Sequence, residues 1–166
     1  MSTTDRESNA TWLSQEAYDR LQAELDEMIA ARPAIAAEIN ARREEGDLRE
    51  NGGYHAAREE QGKAEARIRY LQELLRTAQV GEAPKADTVA PGTVVTIHFD
   101  DDPGDTETFL LGSREIASTT ELTVYSPESA LGKAILGARS GQTVTYTAPS
   151  GADIKVTVDR FEPFSG

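Results

Sequence analysis

Apolar residues recur at helical spacing along the first half of the chain. Leu21, Leu25, Met28, Arg32, Ile35, Ile39 and Arg42 follow one another at intervals of 4, 3, 4, 3, 4 and 3, a heptad seam in which two positions are arginine. A second seam through Tyr54, Ala57, Gln61, Ala64, Ile68, Leu71, Leu75 and Ala78 runs at 3, 4, 3, 4, 3, 4 and 3. Only the eight residues Gly46 to Gly53 separate the two arms. So short a connection makes the arms antiparallel neighbours, and the pattern predicts one long helical hairpin. Ser14 is placed to cap the first arm, with Leu13 before it for a staple contact with Tyr18. Pro33 interrupts that arm and is accommodated as the first residue of a resumed helix after a kink at Arg32. At about 1.5 Å rise per residue, arms of about 25 to 32 residues project roughly 40 Å.

Near Val80 the pattern changes to short alternating runs rich in Gly, Pro, Thr and Val. Val95, Ile97 and Phe99 alternate with Val94, Thr96 and His98, and further strands are predicted at 107–111, 122–125, 143–147 and 154–158. Turn signals lie between them at Asp102-Pro103-Gly104, Ser140-Gly141 and Pro149-Ser150-Gly151. One short helix fits between Glu128 and Leu136. The expected fold is therefore α+β: an N-terminal antiparallel coiled-coil hairpin over 1–80, a linker at 81–88, and a small antiparallel sheet with one helix over 89–166.

Composition narrows the function classes. Twenty-nine acidic residues against 17 basic give a net charge of −12, which argues against sequence-independent binding to bare nucleic acid, since that needs a basic face to release counterions. The chain has no cysteine, so disulfides, thiolate metal sites and a Cys nucleophile are excluded. Residues Met1 to Ala10 lack the basic-then-apolar order of a signal peptide, and no apolar run approaches the ~18 residues that span a membrane. A cytoplasmic protein without a membrane partner is the expectation.

Chemistry concentrates at the hairpin tip, Gly46-Asp47-Leu48-Arg49-Glu50-Asn51-Gly52-Gly53-Tyr54. Asp47 and Glu50 stand three apart and share one face of a helical turn. Two readings are open: a capping box, which has this spacing, or a functional acidic pair. Glu44, Glu45, Asp47 and Glu50 crowd one end of the hairpin, where like charges at helical spacing cost about 0.2–0.5 kcal/mol per pair. A tip selected for stability alone would mix its signs better, although Arg42, Arg43 and Arg49 offset part of the repulsion. Two carboxylates are too few for a tight Mg²⁺ site, so any metal held there needs ligands from a partner. The paired glycines Gly52 and Gly53 each lower helix propensity by about 1 kcal/mol relative to Ala, which predicts a later start of the second arm and a looser tip. His55 and His98 have no metal-ligand spacing.

The run Arg43-Glu44-Glu45-Gly46-Asp47-Leu48-Arg49-Glu50-Asn51, continued by Tyr54-His55-Ala56-Ala57-Arg58-Glu59, resembles the coiled-coil tip of the GreA transcription elongation factors. Ser126-Pro127, followed by Leu131-Gly132-Lys133-Ala134-Ile135-Leu136-Gly137 and Gly141, is similar to the serine-proline loop and following helix of the same family. The resemblance covers the chain from about Trp12 to Glu162. It implies a C-terminal domain of the FK506-binding-protein-like fold that docks at the rim of the secondary channel of bacterial RNA polymerase, with the hairpin reaching down the channel. It also implies that Asp47 and Glu50 help to hold a weakly bound Mg²⁺ of the polymerase and position the attacking water, so that the 3′ end of a backtracked nascent RNA is cleaved by hydrolysis. On this resemblance the chain is not itself an enzyme but stimulates the polymerase's own cleavage activity. Arg49 and Asn51 match tip positions as supports, and Ser126 and Pro127 match the docking loop, where Tyr125 stands in place of the usual Asp or Asn. Arg42, Arg43 and Arg58 are candidates for contact with the RNA 3′ segment, with solvated charges or helix ion pairs as the alternative.

Two other functions compete. One is a secondary-channel regulator or inhibitor without cleavage activity, against which the intact Asp47/Glu50 pair speaks. The other is a prolyl isomerase or chaperone, whose apolar pocket would draw on Phe99, Phe109, Tyr125, Tyr146, Phe161 and Phe164, some of which must instead fill the core.

Overall fold

The computed structural model describes residues 10–46, 50–83 and 85–165. Its elements are β1 (Trp12–Leu13), α1 (Gln15–Ala30), α2 (Arg32–Arg43), α3 (Gly52–Thr77), β2 (Gln79–Val80), β3 (Thr93–Phe99), β4 (Thr106–Leu111), a 3₁₀ turn (Arg114–Thr119), β5 (Thr123–Tyr125), α4 (Ala130–Ile135), β6 (Thr143–Thr147) and β7 (Asp153–Pro163). The chain divides into two compact units, Asp19–Thr77 and the segments on either side of it.

The first unit is the hairpin. Every residue of the second predicted seam, from Tyr54 to Ala78, is buried or half-buried, with Ile68, Leu71 and Leu75 fully inside. The first seam divides: Leu21, Leu25 and Ile39 are buried, whereas Arg32 and Arg42 are exposed. Arg32 does not sit idle in the seam. Its guanidinium grips Glu65 of α3 through two bonds of 3.0 and 2.9 Å, and Arg67 of α3 grips Glu24 of α1 in the same way at 3.0 and 3.1 Å. The arginine fork matches a carboxylate with two parallel donors, so each pair ties one arm to the other in a fixed register. The predicted break is present one residue earlier than expected. Helix α1 ends at Ala30, and α2 resumes at Arg32 with Pro33 in its first turn, where a missing backbone N–H costs nothing.

In the other unit, Ser14 caps α1, its hydroxyl accepting from the Ala17 N–H at 3.2 Å. Strands β1 and β2 pair in parallel for two residues each, Trp12 with Gln79 and Leu13 with Val80. The Trp12 indole donates to the Gly81 carbonyl at 3.1 Å and meets Phe164 edge-on at 6.0 Å. The main sheet has the order β5-β4-β3-β7-β6. All its pairings are antiparallel except β4 with β5, which is parallel. The sheet is thus mixed, not wholly antiparallel as the strand pattern predicted. The reason is the connection: residues 112–122 carry the 3₁₀ turn and return the chain to the end at which β4 began, the crossover that a parallel neighbour requires. Val95, Ile97, Phe109, Leu111, Val156 and Val158 form the core with Leu131 and Ile135 of α4.

Candidate functional site

Among the described residues, the Asn51 side chain bonds to both arms at the hairpin end. Helix α3 begins at Gly52, so the paired glycines do not delay it as their propensity predicted. Asn51 supplies the reason: its Oδ1 accepts the Tyr54 N–H at 3.0 Å, an N-cap that satisfies a donor the helix cannot. Its Nδ2 donates to the Arg42 carbonyl, 2.6 Å away, at the last turn of α2. With the cap at Asn51, Glu50 lies outside the helix. Glu50 is therefore not the third residue of this helix, as a capping box begun at Asp47 would need for the second arm. Glu50 is an exposed turn residue; Asp47 and Arg49 lie outside the described residues.

The arginines near the end are occupied with their own hairpin. Arg42 lies 3.5 Å from Glu45 and 3.9 Å from Glu38, Arg43 stands over the Tyr54 ring at 5.7 Å, and Arg58 donates to Gln61 at 3.4 Å. Arg42, Arg43, Glu50 and Asn51 gather at the tip, while Arg58 sits further along α3. The ion pairs of Arg42 are exposed, and surface pairs of this kind contribute about 0–1 kcal/mol, so they leave that guanidinium available to a polyanion. Between the arms, Ile35, Glu38, Arg42, Gly53, Ala56, Ala57, Glu60 and Ala64 line an open groove of about 420 Å³. The small side chains of the second seam leave it unfilled. Among the described residues no three Asp, Glu or His side chains converge as a cation site.

Ser126 and Pro127 belong to the other unit, between β5 and α4. Ser126 organises its own loop. Its hydroxyl accepts the Glu128 N–H at 3.0 Å, and its carbonyl accepts both the N–H and the hydroxyl of Ser129, at 3.0 and 2.6 Å. Ser129 in turn caps α4 through the Gly132 N–H at 3.1 Å. A Cβ at position 132 would lie 2.0 Å from the Ser126 carbonyl oxygen, so the loop can pack this closely only over glycine. Tyr125, at the end of β5, points its hydroxyl to Glu107 at 2.8 Å and meets the Phe109 ring edge-on at 4.7 Å. The hydrogen bond to Glu107, with burial next, pushes its phenol up to about 12. The position that the resemblance left short of a polar contact is thus a structural one here. Sequence reading missed the double role of Asn51; its signal was an asparagine at the last position before the helix, directly after the acidic run.

The described residues form two units, a helical hairpin with an acidic end and a small mixed sheet with one helix, the two parts of a two-domain factor. Residues 11–80 match the family model described as "Transcription elongation factor, N-terminal", and residues 83–163 match "Transcription elongation factor, GreA/GreB, C-term". The transcription elongation factor GreA of Mycolicibacterium smegmatis is 64% identical over 162 residues, covering 96% of this chain and 99% of that protein. GreA of Mycolicibacterium vanbaalenii is 61% identical over the same shares of the two chains. Among solved structures, GreA factor homolog 1 of Thermus thermophilus aligns with 93% of this chain and 99% of its own at 24% identity and a TM-score of 0.42. The chain belongs to the GreA/GreB family of transcription elongation factors.

Proposed function

We propose that this chain enters the secondary channel of bacterial RNA polymerase in the cytoplasm and stimulates hydrolysis of the displaced 3′ end of backtracked nascent RNA, releasing arrested complexes. The observation that carries this reading is the match to GreA proteins along almost the full length of both chains, joined to an acidic run at the end of a two-helix arm. Within the N-terminal domain, 1–80, the hairpin Asp19–Thr77 is the reaching arm; 81–88 is the linker, and 89–166 the domain that docks at the channel rim through Ser126 and Pro127. The chain is an accessory to the polymerase's own cleavage activity and not an enzyme by itself.

Magnesium fits this division of labour. Glu50 is an exposed carboxylate at the hairpin end, able to complete a coordination sphere but not to build the near-octahedral oxygen cage the ion demands. Asp47 and Glu50 would hold the ion jointly with ligands of the polymerase. When bound, Mg²⁺ polarises the scissile phosphate and lowers the pKa of water. The two carboxylates also accept hydrogen bonds from the attacking water, orienting one lone pair towards phosphorus as the RNA 3′ oxygen on the other side leaves. Arg42, Arg43 and Arg58 offset the negative charge that the tip and the RNA bring together, with Arg49 and Asn51 supporting the tip. The test is a backtracked elongation complex carrying 5′-labelled RNA. Addition of the wild-type protein shortens the RNA promptly. RNA that stays full length while synthesis is inhibited would identify a channel regulator without cleavage activity.

A further inference from the structure

We propose that Asn51 is the positioning residue of the acidic tip: one amide staples the two arms together beside Glu50 and so fixes where that carboxylate sits. The proposal rests on the function proposed above. The side chain bonds to both arms at once, accepting from the Tyr54 N–H of α3 at 3.0 Å and donating to the Arg42 carbonyl of α2 at 2.6 Å. The backbone groups around it are engaged too, with His55 N–H on the Asn51 carbonyl at 3.2 Å and Gly52 N–H on the Glu50 carbonyl at 3.1 Å.

The orientation of the amide follows from its partners. A backbone N–H can only donate and a carbonyl can only accept, so Oδ1 must face Tyr54 and Nδ2 must face Arg42. Ser, Thr, Asp and Asn all cap helices well, yet only Asn has an acceptor and a donor on adjacent branches of one rigid plane. A serine here would keep the cap and lose the bond to Arg42. An aspartate would keep the cap and turn a second acceptor towards the Arg42 carbonyl. The staple joins the start of α3 to the end of α2, and Glu50 is the residue immediately before the bonded asparagine. Gly53 lies directly behind it: a Cβ there would stand 3.4 Å from Arg42 Cδ and 3.5 Å from Asn51 Oδ1, so the arms are already in contact across the staple.

The discriminating variants are N51S, which leaves the charge unchanged, and N51D, which keeps the cap at the same side-chain length. Each is compared with wild type on the 5′-labelled backtracked complex, with the factor and Mg²⁺ varied separately. If Asn51 positions that carboxylate, both variants lose about tenfold or more in cleavage rate at saturating factor, as misplacement of a reacting group by about 1 Å can do. Both also need more Mg²⁺ for half-maximal rate, while the half-saturating factor concentration and the thermal melt stay near wild type. An N51S protein with wild-type rate and Mg²⁺ dependence overturns the role. So does a loss seen only in half-saturating factor, which would make Asn51 a docking residue. Wild-type protein that leaves the RNA uncut overturns the proposed function and this role together, whereas wild-type cleavage matched by N51S overturns this role alone.

Discussion

Replacing Gly132 by alanine perturbs the loop of Ser126 and Pro127, proposed above to dock, without substituting either residue. The new methyl would stand 2.0 Å from the Ser126 carbonyl oxygen, 2.9 Å from Ser129 Oγ and 3.0 Å from the Ser126 carbonyl carbon. Backbone cannot yield as a flexible side chain does, so the Ser126 carbonyl must retreat by about 1 Å to reach the shortest contact that real side chains make. That retreat pulls it from the two Ser129 donors, at 3.0 and 2.6 Å, each bond contributing about 0.5–1.5 kcal/mol. Strain on Ser129 also weakens the cap of α4, which is worth about 0.5–2 kcal/mol. Alanine returns about 1 kcal/mol in helix propensity, leaving a net loss of about 1–3 kcal/mol. At about 4–8 °C per kcal/mol for a domain of this size, the melting temperature followed by circular dichroism falls by about 4–24 °C. Because the displaced segment carries Ser126 and Pro127, the factor concentration for half-maximal transcript cleavage rises about tenfold, the equivalent of ~1.4 kcal/mol of docking energy. The rate at saturating factor is unchanged. An alanine variant with wild-type melting and wild-type half-saturation would refute the reasoning.

Gly52→Ala is expected to do the opposite in the hairpin unit: nothing lies within 4 Å of a Cβ there, so the helix gains up to about 1 kcal/mol, and a lowered melting temperature would contradict this. Tyr125→Phe tests the phenol held up to about 12 by Glu107. A raised folded pKa means that tyrosinate forms first in the unfolded chain, so stability is fully present below about 10 and is lost as pH rises to about 12. The Phe variant should lose that part of the alkaline decline in urea titrations, and an unchanged pH profile would exclude the Glu107 contact as its cause. Arg32→Ala, which breaks the exposed cross-arm pair with Glu65, should cost only about 0.2–1 kcal/mol, and less at high salt. A loss that does not diminish with salt would point to packing by the arginine stem.

The hairpin was legible because two heptad seams are local patterns, and each apolar position in them is read from its own neighbours. Where the seams failed to predict burial, at Arg32 and Arg42, the residue type already said so. Pro33 announced the break, although its position shifted by one residue because a helix accepts proline anywhere in its first turn. The glycines misled. Propensity at Gly52 and Gly53 favoured a late start for α3, and a single capping side chain, Asn51, overrode it. The strands were visible as alternating runs, but their partners were not. Residues 153–163 continue past the predicted strand because Thr93–Phe99 offers them a long antiparallel neighbour, with a bulge between Thr96 and Ile97. The parallel placement of β5 depends on the course of residues 112–122, which alternation does not encode. At the candidate site the acidic run was plain in the sequence. The hydrogen bonds that hold its end were not, since they join Asn51 to Arg42 across nine positions.

The most direct test of the acidic tip is the effect of Glu50→Gln and Asp47→Asn on cleavage of 5′-labelled backtracked RNA, measured across a full range of factor concentrations. Both changes keep side-chain size and remove the charge. Loss of one group that stabilises the reacting centre costs about a hundredfold or more. The account predicts that fall in the rate at saturation, with the half-saturating concentration kept within about twofold, since docking is proposed for the other unit. A Glu50→Gln protein that cleaves at the wild-type rate would contradict it.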